Sequence, residues 1–238
     1  MKFAVIGDIH GNKFALESTL KDIKDKNVDF IVSTGDLVGY LPFPNEVIEM
    51  IKSNNIITIQ GNHDEKIALG SKPTEESIGK MSESEIQGSA SGVFTNLTIT
   101  DENREYLKRL PKKMVIVAEA LKVMLVHGSP RSNKEYMKED SEILDLLAKE
   151  SHADVIISGH THLPYYKKVE DKHFINAGST GKPKQGNANG VYVIVDIDHN
   201  EVTCDIVEVP YDVENMVAAI EGNDMISNEL IDNLRKGY

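Results

Sequence analysis

The chain of 238 residues has one cysteine, Cys204, so no disulfide can form within it. A reducing compartment suits such a chain, and the cytoplasm is the predicted location. Nowhere does the sequence hold an unbroken run of about 18 apolar residues, the length a bilayer-spanning helix needs, so no membrane partner is expected. The first apolar stretch, around Val5, is too short for a secretion signal and gives way to Asp8. An excess of positive charge is missing too. Lys and Arg number 26 against 38 Asp and Glu, a net charge of -12. That balance argues against an extended nucleic-acid track, which relies on clustered cations. It leaves room for a small nucleotide and suits a site that gathers cations. No internal repeat and no low-complexity tail interrupt the chain. Its 40% apolar and 27% charged residues fit neither a disordered chain nor a coiled coil. One domain spanning residues 1–238 is expected.

What the sequence does have is a series of short apolar runs that stop abruptly. KFAVIGD ends at Asp8, DFIVSTGD at Asp36 and IITIQGN at Asn62. KVMLVHG ends at His127-Gly128, and DVIISGH ends at His160. Near-continuous apolar runs of this length predict strands covered on both faces. Between them lie amphipathic helical patterns: Phe14 to Ile23, NEVIEMIKSN after Pro44, DENREYLKRL with Asp101 as its N-cap, and SEILDLLAKES. Alternating strands and helices predict a layered α/β fold. The last third reads differently. KHFINAGS, GVYVIVDID and EVTCDIVEVP predict antiparallel strands completing a second sheet, followed by two helical stretches after Pro210. Residues 71–92, rich in Ser, Glu and Gly, predict a surface excursion.

The strand tips collect Asp8-x-His10, Gly35-Asp36, Gly61-Asn62-His63-Asp64, His127-Gly128 and Gly159-His160-Thr161-His162. Five of the eight histidines fall in this set. In α/β sheets, ligands bind at the carboxyl ends of the strands. Carboxylate, imidazole and amide oxygen suit first-row metals such as manganese, iron and zinc. The seven candidate ligands Asp8, His10, Asp36, Asn62, His127, His160 and His162 are too many for one tetrahedral site. They suit two metals sharing a carboxylate, which can clamp the attacking and leaving oxygens of a phosphoryl displacement. The glycines let backbone come close to such a centre. The alternation of His160 and His162 predicts both rings on one side of an extended segment.

These five blocks, in this order and spacing, resemble the calcineurin-like metallophosphoesterase superfamily. GDLVGY, PNEVI, HGSPR, NAGSTGKP and VPYD are similar to its small bacterial and archaeal predicted phosphodiesterases. The resemblance implies a four-layer α/β/β/α sandwich, with two mixed β-sheets face to face and helices outside. It implies two divalent metals, manganese first, with iron, zinc, nickel or cobalt also compatible. Asp8, His10 and His162 would hold one metal, Asn62, His127 and His160 the other, and Asp36 would bridge them. A hydroxide shared by the metals would attack phosphorus. His63 would protonate the leaving oxygen, and Asp64 would orient His63 and raise its pKa. The sequence departs from the protein serine/threonine phosphatase branch. Leu37-Val38-Gly39-Tyr40 stands where that branch carries an Asp-Arg pair, and Asp64 stands where it has Glu.

The expected substrate is therefore a small phosphodiester or a nucleotide anhydride. Phosphomonoester hydrolysis, a nuclease activity and a non-catalytic scaffold, like the retromer subunit of this superfamily, are the competing readings. The last of these lacks the acid position that His63 occupies here. Arg131 stands close enough to His127 to reach a phosphate, or is simply a surface arginine. Lys182 and Lys184 form a basic rim or a solvated loop. Tyr40 and Tyr136 stack on a base or pack locally. Asn12 binds a phosphate oxygen or caps the first helix, the cap being the better reading. Self-association is compatible with the sequence.

Overall fold

The computed structural model describes residues 1–89 and 91–238; Ala90, within the 71–92 excursion, lies outside the described residues. The first half runs β1 (Lys2–Ile6), α1 (Lys13–Ile23), β2 (Phe30–Ser33), α2 (Pro44–Ser53), β3 (Ile57–Thr58) and α3 (Asn62–Leu69). Then come α4 (Glu75–Ile78), α5 (Glu83–Gln87), α6 (Gly92–Thr98) and α7 (Asp101–Arg109). The rest runs β4 (Lys113–Ala118), β5 (Leu121–Val126), α8 (Ile143–Glu150), β6 (Val155–Ser158), β7 (Tyr165–Val169), β8 (Lys172–Asn176), β9 (Gly190–Asp198), β10 (Glu201–Val209), α9 (Val213–Glu221) and α10 (Glu229–Lys236).

Two five-stranded mixed sheets result, ordered β10-β9-β1-β2-β3 and β4-β5-β6-β8-β7. Strand alternation decides which way each side chain faces. Phe3 and Val5 of β1 meet Val123, Leu125, Val155 and Ile157 of the second sheet in a shared core. Ala4 and Ile6, one residue out of phase, pack instead on Leu16, Leu20 and Ile23 of α1 and Val47, Ile48 and Ile51 of α2. On the second sheet, Ile156 turns outward to Leu144 and Leu147 of α8. The order is helix, sheet, sheet, helix, the four-layer sandwich that the resemblance implied. Among the described residues, no helix is long and apolar enough to cross a membrane.

Several expectations need correction. β9 and β10 are antiparallel, but they extend the first sheet, because β9 pairs with β1. β8 does join the second sheet, yet it runs parallel to β6. The sequence reading missed β4 and β7. β4 exposes Val115 and Val117, so its apolar content did not read as a covered strand. Helix α7 is capped by Thr100, whose side chain accepts from the Asn103 N–H; Asp101 is the first helical residue. The short helices α4 and α5 bear out a surface excursion, since neither has a buried residue.

Candidate metal centre

The parallel arrangement brings the carboxyl ends of β1, β2 and β3 side by side, and those of β5 and β6 side by side. Asp8, Asp36 and Asn62 follow the first three strands, and His127 and His160 follow the other two. The sheets are tied together at this end. The ring of His127 bonds through Nδ1 to the Thr34 carbonyl at 2.9 Å, and the His160 N–H donates to Asp8 Oδ2 at 2.9 Å. Asp36 Oδ1 accepts in the same way from the His63 N–H at 2.8 Å. Both carboxylates need a residue without a side chain beside them. A Cβ on Gly61 would lie 2.1 Å from Asp36 Oδ1, and one on Gly159 would lie 2.4 Å from Asp8 Oδ2.

Five of the seven candidate ligands, Asp8, His10, Asp36, His160 and His162, have φ between 48° and 64°. Non-glycine residues avoid this left-handed region, at a cost on the order of 1–3 kcal/mol each. Such strain persists only where surrounding structure holds it, and its concentration here points to function. It also corrects one expectation. His160 and His162 do not alternate along an extended segment; each lies at a left-handed turn, and their rings diverge into different ligand groups.

One group is Asp8, His10 and His162, another is Asp36, His127 and His160, and a third, His10, Asp36 and His63, overlaps both. In the first, His10 Nε2 and His162 Nε2 face each other at 3.2 Å, with Asp8 Oδ1 at 3.7 and 3.3 Å from them. In the second, His127 Nε2 lies 3.3 Å from Asp36 Oδ2 and 2.8 Å from Asn62 Oδ1. Asp36 Oδ2 also lies 3.8 Å from His10 Nε2, which puts this one oxygen between the two groups.

The tautomers follow from the partners. Nδ1 of His10, His127 and His162 meets the carbonyls of Val38, Thr34 and Lys182, at 3.2, 2.9 and 2.6 Å. A carbonyl only accepts, so each Nδ1 carries the proton. In the neutral ring, each Nε2 then presents a lone pair to the cluster, the arrangement of a metal-ligating imidazole. Two buried atoms within this cluster, Asp8 Oδ1 and His160 Nε2, have no hydrogen-bond partner among the described residues. Buried polar atoms are rarely left so unless an ion or water completes them. Three oxygen donors, from Asp8, Asp36 and Asn62, together with several imidazole nitrogens therefore fit divalent cations. Burial opposes the charge on Asp36, yet His127, His63 and His10 hold its carboxyl well below the ordinary range. Burial also opposes charge on His127, but Asp36 raises that ring to about 9, so a cation entering there has a proton to displace.

Residues 1–200 match the calcineurin-like phosphoesterase superfamily domain. An uncharacterized protein of Methanocaldococcus jannaschii is 31% identical, over 92% of each chain. The chain belongs to the calcineurin-like phosphoesterase superfamily. A phosphodiesterase of the same archaeon is 25% identical over 78% of this chain and 91% of its own. The crystal structure of a metallophosphoesterase from Sphaerobacter thermophilus superposes with a TM-score of 0.84, at 27% identity, over 100% of this chain and 99% of that one.

Around this phosphoesterase cluster, the remaining expected residues fare unequally. Asp64 does not orient His63. Its Oδ1 accepts from the N–H groups of Leu37 and Val38 at 2.9 and 3.2 Å, and its Oδ2 from Gly61 at 3.0 Å. It staples two ligand loops together. His63 instead packs its ring 5.0 Å from that of His10 and 4.8 Å from that of Tyr40. Burial pushes its pKa down to about 4, opposite to the expected rise. Asn12 caps α1, accepting from the Ala15 N–H, and its two amide protons go to the Gly181 carbonyl and the Tyr211 hydroxyl. Nothing remains for a phosphate oxygen, so the cap is its role.

Arg131 is exposed and ion-paired with Glu150 at 2.7 Å, but it lines a cavity of about 360 Å³ shared with His127, Lys112 and Asn133. Tyr136 stacks on His160 with ring centres 4.2 Å apart. Lys182 is buried, its ammonium 5.1 Å from the centre of the Tyr40 ring. The sequence reading missed the carbonyls of Thr34, Val38 and Lys182 that set the tautomers. Every residue has a carbonyl, so the sequence carries no signal for them.

Proposed function

We propose that the chain hydrolyses phosphodiesters of small molecules at a dinuclear metal centre. Asp8, His10 and His162 would hold one divalent ion, Asn62, His127 and His160 the other, and Asp36 both. The observation that carries this is the position of Asp36 Oδ2, 3.3 Å from a histidine nitrogen of one group and 3.8 Å from one of the other. Bound metals would supply Lewis acidity, an activated water and a clamp on the phosphoryl oxygens. The protein's own groups do the rest. The three Nδ1–H···O=C bonds fix the imidazoles before any ligand arrives. His63 stands beside His10 and Tyr40 as the proton donor to the leaving oxygen. Burial disfavours its charged form, and the anionic phosphoryl group of a bound ester reverses that by favouring the imidazolium.

A diester needs room for two organic arms. Support for one comes from two cavities beside the cluster, one lined by His127, the other of about 480 Å³ lined by Tyr40, whose ring touches His10 and His63. Both volumes fall within the range of small-molecule sites. The name of the phosphodiesterase relative points the same way. The test is hydrolysis of bis-p-nitrophenyl phosphate and p-nitrophenyl phosphate after metal stripping and manganese loading. Faster cleavage of the diester is expected, with none in the stripped protein. Faster cleavage of the monoester would overturn the diester assignment.

A further inference from the structure

The Tyr40 cavity contains a feature that metal binding does not use. Lys182 is 7% exposed, its ammonium lies over the Tyr40 ring, and no described residue gives it a hydrogen bond or ion pair. Its charged neighbour Lys184 repels it. The carboxylate of Glu229 lines the same cavity from an exposed position on α10 without pairing with it. The other polar walls, Ser84, Gln87, Ser91, Ser227 and Asn233, are neutral. A buried ammonium without a counter-charge is costly, and such a site gains most by binding an anion.

We infer that Lys182 receives a second anionic phosphate carried on the leaving arm of the substrate. This rests on the phosphodiesterase reading for the position of the first phosphate. The Lys182 ammonium is 5.1 Å from the Tyr40 ring centre, and that ring is 4.8 Å from the His63 ring. The Tyr40 ring thus borders both the Lys182 ammonium and His63, the proposed proton donor, so an anion on Lys182 sits one ring away from the group that meets the leaving oxygen. Cation–π contact with Tyr40 holds the ammonium in place without neutralising it, as a carboxylate would. The wall formed by Glu229, Leu230 and Asn233 lies beyond residue 200, where the match to the superfamily domain ends. The substrate class is a nucleotide-type ester or anhydride with at least two phosphates.

The test compares calorimetric binding of α,β-methylene-ADP and AMP to the manganese-loaded protein. The wild type binds the two-phosphate ligand at least tenfold more tightly. In Lys182→Met the preference falls below twofold, and in Lys182→Arg most of it returns. Equal affinities in the wild type, no binding of the two-phosphate ligand, or a preference that survives Lys182→Met overturns the assignment. In that last case the metals alone read the extra phosphate. A thermal melt of each variant confirms that the buried substitution leaves the fold intact. Hydrolysis of bis-p-nitrophenyl phosphate by the wild type reports separately on the phosphodiesterase reading. Its failure together with a Lys182-dependent binding preference would sink that reading and leave the anion subsite standing.

Discussion

At the candidate ligand cluster, five of the seven groups are buried and five are set on left-handed turns. Asp36 is 1% exposed, Asp8 and His10 fully buried, and three histidines are each tied to a carbonyl. A few residues away, the rim is built otherwise. Arg131 is exposed and neutralised by Glu150, and Tyr136 is half exposed with its ring against His160. A ligand position must be correct to fractions of an ångström, so the fold stores strain there and surrounds it with hydrogen bonds. A rim residue meets a mobile substrate and needs only to be near. Substitutions in the two regions should therefore differ in size and in kind.

Asp36→Asn attacks the shared oxygen of the centre. We expect kcat/KM to fall by roughly 10³-fold, with metal content below two ions per chain by elemental analysis. Two bound ions and near-normal turnover would refute the bridging role. His63→Ala should cut kcat by roughly 10² to 10⁴ while both metals stay bound. Loss of metal instead would make it a ligand rather than a proton donor.

Asp64→Ala separates architecture from catalysis. The buried N–H groups of Leu37, Val38 and Gly61 lose their acceptor, so stability to urea should drop by about 3–5 kcal/mol. An unchanged denaturation midpoint with lost activity would restore the orienting role first expected of Asp64.

In metal-free protein the cluster also sets a pH dependence. Burial lowers His63 to about 4 and His162 to about 3. Unfolded, both rings take up protons near their ordinary pKa of 6.5, so the unfolded state binds more protons and stability falls as pH drops below about 6.5. Asp64, raised by burial to about 7, works in the opposite direction, as one group against two. His127, raised to about 9, adds a smaller opposing effect, since it stays protonated when folded while its unfolded ring fills only between pH 6.5 and 5. Urea midpoints at pH 6.5 and 5 should therefore decrease; an increase would mean that Asp64 dominates. The smallest effect is expected at the rim. Arg131→Ala should change kcat/KM for bis-p-nitrophenyl phosphate less than about threefold, since exposed ion pairs contribute little. A larger loss would move Arg131 from rim to centre.

The sequence alone determined the donor types, their order, the glycines beside them and the strands that carry them. Each of these depends on residue identity and local spacing: an apolar run needs a strand, and Gly61 is the only residue type that tolerates Asp36 at that distance. Tertiary structure decided which donors share a group. His160 and His162 are two residues apart yet divide between two groups, each set on a left-handed turn. It also decided that β9 would edge the first sheet, that Asp64 would hold backbone rather than His63, and that α10 would wall the Lys182 pocket. These outcomes depend on which distant segments become neighbours. No local pattern encodes that, because any residue's carbonyl, N–H or apolar face can meet the partner that packing brings to it.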